Sequence, residues 1–257
     1  MKKTISLLIF IFLLLSSCSK NDPDKVLQRA RNNFEKGRYE QALQDQIWFH
    51  DNALKYKPSL YGVRLSYALA DWIRLGEKYP AALEKLKEIR DNKTEQIKNG
   101  EGSFDLFHDV ASIHEYLNES IKTVELYKNL IKIDFNLAKE CYRLAKEALI
   151  DHGEFKICNR FVPNPLSSLR SMKEVLAVNI RIYKEKDWAG QEHLEWAIDD
   201  YLIEAEQILL ILTNNDRRDE AKRFIDEASK DMDIKKILYG LQNLNKKYLA
   251  NRAMSSG

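Results

Sequence analysis

Glycine and proline are scarce: Gly 9 and Pro 5 in 257 residues. That excludes collagen-like, low-complexity and turn-rich all-β chains and favours long helices. Cysteine is scarcer still, at three, too few for a disulfide-built fold. Net charge is nearly absent: 41 Lys and Arg face 39 Asp and Glu, and Lys2 and Lys3 account for the excess. No global field favours nucleic acid. The chain has no His-Glu-x-x-His pair, Gly-rich phosphate loop, nucleophile elbow or zinc-ligand spacing, so no motif supports an enzyme, a cofactor, a metal site or a small-molecule ligand. What is present is 44% hydrophobic and 31% charged sequence, which excludes global disorder. The expected class is all-α.

The first residues form a separate segment. Met1-Lys2-Lys3 is a positive start, and Ile5–Leu15 is an apolar run broken only by Ser6. About 20 residues are needed to span a bilayer, so this run reads as a signal-peptide core. It ends in Leu15-Ser16-Ser17-Cys18, which resembles a bacterial lipobox. The resemblance implies cleavage before Cys18 and lipidation of its thiol, with an ordinary signal peptide and a chance cysteine as the alternative. Several acyl chains at ~0.8 kcal/mol per buried methylene hold a protein firmly on a membrane. Residues 1–17 are then the signal peptide, and 18–24 a polar, lipidated tether containing Pro23. The implied location is the bacterial cell envelope, at the outer membrane, on its periplasmic or surface face.

The remainder, 25–252, shows recurring turn signals, with 253–257 as a flexible tail. The sharpest is Gly37-Arg38-Tyr39-Glu40-Gln41-Ala42, which resembles the inter-helix turn of a tetratricopeptide repeat. Gly ends one helix, the aromatic fills the wedge between helices, and Ala lets two backbones approach. Ala30 and Phe34 fit the first helix, while Arg29 and Asn33 stand where that family has large apolar residues. Ala53 and Pro58 come four residues late, as though the second helix were one turn longer. Gly76 with Tyr79 and Ala82 repeats the theme, with Leu65 and Trp72 before it. Asn118, Gly153 and Asn215 mark three further turns. Spacings of 39, 42, 35 and 62 against the family's 34 imply divergent repeats, with an irregular break near 160–168. A helix is expected from about Leu166 to Lys184, and a loop near Asp187–Gln191. Asp231–Asp233 starts a last helix, whose Ile237, Leu238, Leu241 and Leu244 face inward. The resemblance implies a right-handed α-solenoid of such hairpins with a C-terminal capping helix.

Chemistry-bearing residues are dispersed. Cys141 and Cys158 flank the Gly153 turn with an offset of roughly 10 Å along a hairpin, so buried thiols are expected rather than a disulfide. His50, His108, His114, His152 and His193 read as isolated surface or packing residues. Glu192, Glu195 and Asp199 share a helical face, the pattern of a solvated charged stripe. Trp188 falls in a loop, where its ring can be exposed to a partner. The tetratricopeptide resemblance implies an extended concave face lined by first helices, which in that family holds peptides. Here Asp24, Gln28 and Arg31 would line it, although the family's Lys and Asn clamp for a carboxylate is missing. The expected function is a membrane-anchored, non-catalytic lipoprotein scaffold that binds a protein or peptide through that surface. The alternatives are a carbohydrate-binding lipoprotein of the glycan-uptake type and an immunity lipoprotein that neutralises a toxin.

Overall fold

The computed structural model describes residues 22–230 and 232–250. Among them every regular element is helical and no strand occurs, as the composition predicts. The signal peptide, Cys18, most of the tether, Asp231 and the 253–257 tail lie outside the described residues. The chain divides into two compact units, one running to Ala145 and the other starting at Lys146.

In the first unit, α1 (Pro23–Glu35) begins at Asp22, whose side chain accepts from the Asp24 amide, with Pro23 in the first turn. Val26, Leu27 and Ala30 form its buried stripe. It ends at Gly37 in the left-handed region, φ 69. There the Gly37 amide donates to Phe34 O at 3.0 Å and the Arg38 amide to Asn33 O at 2.8 Å, the pair of bonds that closes a helix end on glycine. The return helix α2 (Tyr39–Tyr56) packs on α1, with Ala42 and Ala53 fully buried. Tyr39 sits in the wedge against Phe34 and Tyr79, with ring centroids 5.9 and 6.4 Å away. The late Ala53 and Pro58 follow from the length of α2, which runs a further turn before Pro58 opens a short 3-10 turn.

The next helix is broken, into α3 (Tyr61–Leu65) and α4 (Tyr67–Lys78), at Ser66. The Ser66 hydroxyl donates to Gly62 O at 2.7 Å, a local bond that competes with helix continuity. Gly76 is not the turn that the sequence suggests. It lies inside α4, buried, and a Cβ there would stand 3.0 Å from the Leu83 Cβ. Gly76 therefore permits close approach, and the turn is made at Tyr79, extended before Pro80 at the start of α5 (Pro80–Lys98). α6 (Phe104–Tyr116) and α7 (Ser120–Ile133) are joined through Asn118 at φ 56, with the same paired bonds as at Gly37. Gly100, φ 85, closes α5 in that way too, and the repeat pattern did not mark it. α8 (Phe135–Asp151) follows. From α1 to α7 each helix packs on its chain neighbours, and alternate helices touch as well, α2 with α4 and α5 with α7. Two buried rings find carbonyl partners: Trp72 Nε1 donates to Ala82 O and Tyr127 OH to Ala138 O, both at 2.8 Å.

The second unit continues through Gly153, φ 71, to α9 (Phe155–Asn159) and an irregular stretch before α10 (Pro165–Glu185), where Asn164 caps the amides of Leu166 and Ser167. α11 (Gln191–Thr213) then leads to α12 (Arg218–Ser229). The left-handed residue of that turn is Asp216, φ 58, one position beyond the expected Asn215. Asn215 is instead tied down, its amide donating to Phe155 O and Ile211 O. α13 (Lys235–Asn245) buries Ile237 and Leu241 against α11 and α12 and ends in a single π turn, Lys246–Ala250. The core of this unit is a continuous apolar cluster that includes Leu169, Tyr201, Leu209, Leu212, Phe224 and Leu241. Both remaining cysteines are buried and neither is in a disulfide, as their offset predicts, and burial pushes the Cys141 thiol up to about 12. No helix among the described residues is long and apolar enough to cross a membrane.

Candidate functional site

Two constellations stand out, one in each unit. In the first unit, four helices converge on a buried ionic cluster. Arg64 from α3 and Asp109 from α6 pair with side-chain exposures of 6% and 7%, and Lys93 from α5 also binds Asp109. His50 from α2 completes the group, its ring Nε2 3.0 Å from Lys93 Nζ and 3.3 Å from Arg64 Nη1. Arg64 Nε is buried without a partner. Burial and then the charges of Lys93 and Arg64 lower the His50 pKa to about 3, so the imidazole is neutral. Burial raises the Asp109 pKa, but the same two cations outweigh it and hold the carboxyl below its ordinary range. One carboxylate thus serves two cations, and the cluster carries net positive charge.

Beside it, the Tyr61 hydroxyl lies 3.0 Å from both Asp105 Oδ1 and His108 Nδ1. The histidines of α6 have different surroundings. His108 is half-exposed beside Tyr61, and His114 is buried with Nδ1 3.1 Å from Thr123 Oγ1. Burial, then the charge of Arg90, lowers the His114 pKa to about 4. The sequence marks each histidine as isolated, whereas the structure supplies partners for His50, His108 and His114. The only trace in sequence was charge at apolar positions: Arg64 between Val63 and Leu65, and Asp109 between His108 and Val110. Among the described residues no group of three or more His, Cys, Asp or Glu could hold a metal ion.

The departures from the repeat pattern on α1 are explained nearby. Arg29 donates to both oxygens of Asp45, from Nε at 3.0 and 2.9 Å, and Asn33 Nδ2 donates to Asp45 Oδ2 at 3.1 Å. Asp45 is buried on α2. A hydrogen-bonded carboxylate thus takes the place of the apolar contact expected between the two helices. Of the residues expected to face a partner, Gln28 donates to Asn32 on the exposed side of α1. Arg31 is engaged within the molecule, its Nε donating to Asp71 at 2.6 Å while its side chain stays 36% exposed.

The second unit presents aromatics. Trp188, in the loop before α11, is 72% exposed. Its ring meets His193 edge-on at 5.8 Å and 76°, and His193 lies 6.0 Å and 36° from Trp196. Trp196 is 56% exposed. The sequence reading missed it, although its spacing from Glu192 and Asp199 puts it on the exposed stripe of α11. Glu192, Glu195 and Asp199 do lie exposed there. No protein-family model matches this chain, and no curated protein matches it either.

Proposed function

We propose that this chain is a membrane-anchored, non-catalytic lipoprotein scaffold that binds a protein or peptide partner, with divergent tetratricopeptide-like hairpins stacked as a right-handed α-solenoid and α13 as its cap. The observation that carries the reading is the first hairpin. Gly37 closes α1, Tyr39 fills the wedge, and Ala42 is buried at the helix contact, each in the role the repeat requires. Asn118 and Gly153 close helices by the same bonds, and consecutive helices pack on one another from α1 to α7 and from α10 to α13. Stacked hairpins bury a common core and leave long surfaces for partners. Gln28 and Arg31 on α1 and Trp188 on the loop are the partner-facing candidates. Trp188 is favoured because it is uncommitted to the core, whereas Arg31 is held by Asp71. The lipobox-like Leu15–Cys18 supports a lipid anchor and a location in the bacterial cell envelope, at the outer membrane.

An alkyne-palmitate labelling experiment tests the anchor. The wild-type chain takes up label and partitions with membranes, and Cys18→Ser abolishes both. A mature chain free of fatty acid overturns the anchor. Mild-detergent purification of the labelled chain tests the scaffold, with co-purification of a stoichiometric protein expected. A chain that purifies alone and turns over a substrate overturns the binding reading.

A further inference from the structure

We infer that the exposed face of α11, with Trp188 at its approach, docks a cationic peptide segment, one that presents lysine or arginine around an apolar residue. The inference rests on the scaffold reading and names the place and chemistry of binding.

α11 carries six carboxylates, Glu192, Glu195, Asp199, Asp200, Glu204 and Glu206, and neither lysine nor arginine. Three are matched by lysines of the same unit: Lys236 on Asp199 at 2.7 Å, Lys146 on Glu204 at 2.5 Å and Lys247 on Glu206 at 2.7 Å. Among the described residues Glu192, Glu195 and Asp200 have no ion pair, and Glu195 accepts only the Gln191 amide, at 3.3 Å. Burial and then the charge of Glu204 raise the Asp200 pKa, against the opposing charge of Lys146. Glu192 and Glu195 stand in the first turns of α11, where the indoles are. Glu192, Trp196, Asp199 and Ile203 follow one another at helical spacing and are all exposed. Ile203 is 55% exposed, so the stripe offers apolar contact as well as charge. His193 Nε2 is buried beside the indoles with no hydrogen-bond partner, which leaves an unsatisfied polar atom at the centre of the patch.

Exposed tryptophan beside carboxylates suits a cation on two counts. The ring face attracts it and the carboxylates pair with it. A flat sugar needs a flat platform, and the tilts through His193 leave the two indole planes far from parallel. An acidic partner would meet like charge.

The test titrates the full chain in detergent with a synthetic helical peptide of leucine and lysine, its leucine–glutamate counterpart, and maltoheptaose, followed by calorimetry. The lysine peptide is expected to bind at least about tenfold more tightly than the glutamate peptide, and to weaken as salt rises from about 0.05 to 0.5 M. Trp196→Ala, and separately Glu192→Gln with Glu195→Gln, each weaken it about tenfold. Unchanged melting temperature in these surface variants confirms that they fold. Equal binding by the variants, preference for the glutamate peptide, or sugar binding that needs Trp188 and Trp196 overturns the inference. A protein partner that co-purifies equally with wild type and Trp196→Ala leaves the scaffold reading standing and removes this face. Failure of both peptide binding and co-purification removes both.

Discussion

The two units hold themselves together by different means. In the first, charge reaches inside. Arg29 and Asn33 share Asp45, Arg64 and Lys93 share Asp109 beside His50, and Arg90, 6% exposed, pairs with Glu119. In the second, the core is one apolar cluster built around α11, and its ion pairs are exposed, as Lys236 with Asp199, or partly buried, as Lys146 with Glu204. The contrast matters because a buried ion pair is expensive to break although worth little net when intact, while a surface pair is cheap either way. It also separates roles. Where the core is apolar, Glu192 and Glu195 of α11 are left facing water without an ion pair among the described residues.

The largest test of this contrast is Asp109→Ala. It strands two cations inside the first unit and is expected to lower stability by about 3–5 kcal/mol, read from urea unfolding. Trp48 and Trp72 report the first unit and Trp188 and Trp196 the second, so Trp→Phe variants of either pair give separate signals. A loss below about 1 kcal/mol would mean that the cluster opens to water.

Acid sharpens the contrast next. His50 and His114 are neutral when folded, with pKa values of about 3 and about 4, against roughly 6.5 in an unfolded chain. Below pH ~6.5 the unfolded state binds protons that the folded state refuses, so stability falls as pH falls. For His114 the loss runs down to about pH 4 and for His50 to about pH 3. Asp109 adds its share only below the carboxylate range near 4. The first unit's unfolding midpoint therefore drops between pH 7 and pH 4.5, and His50→Asn with His114→Asn flattens the slope. An unchanged slope in that double variant breaks the account.

Smaller effects follow from backbone and surface. Gly76→Ala forces a methyl group toward Leu83 and is expected to cost about 1–3 kcal/mol. Gly37→Ala meets open space but strains a left-handed backbone, for about 1 kcal/mol. Lys236→Ala, at the exposed pair with Asp199, is expected to shift stability by less than about 1 kcal/mol. If it costs more than Gly76→Ala, the division between buried and surface charge is wrong.

Local chemistry was legible in sequence, and long-range partnership was not. Gly37 declares its turn because the residues that use it, Tyr39 and Ala42, are adjacent. Gly76 misleads because a glycine can serve a turn or a close contact, and only Leu83 across the hairpin tells which. Arg29 and Asn33 looked like departures from a pattern, since their answer, Asp45, lies on the facing helix. The cluster around Asp109 draws on residues from 50 to 109, a convergence that no local motif records. Trp188 was visible as a loop aromatic. Trp196 was hidden inside an amphipathic helix, where an aromatic usually marks the buried side.

The face of α11 proposed to bind a partner offers the most direct test. With a photoreactive phenylalanine at position 196 in living cells, the lipidated chain should form one discrete protein adduct, and the captured segment should be rich in lysine and arginine. No adduct, or capture of an acidic segment, would contradict the account.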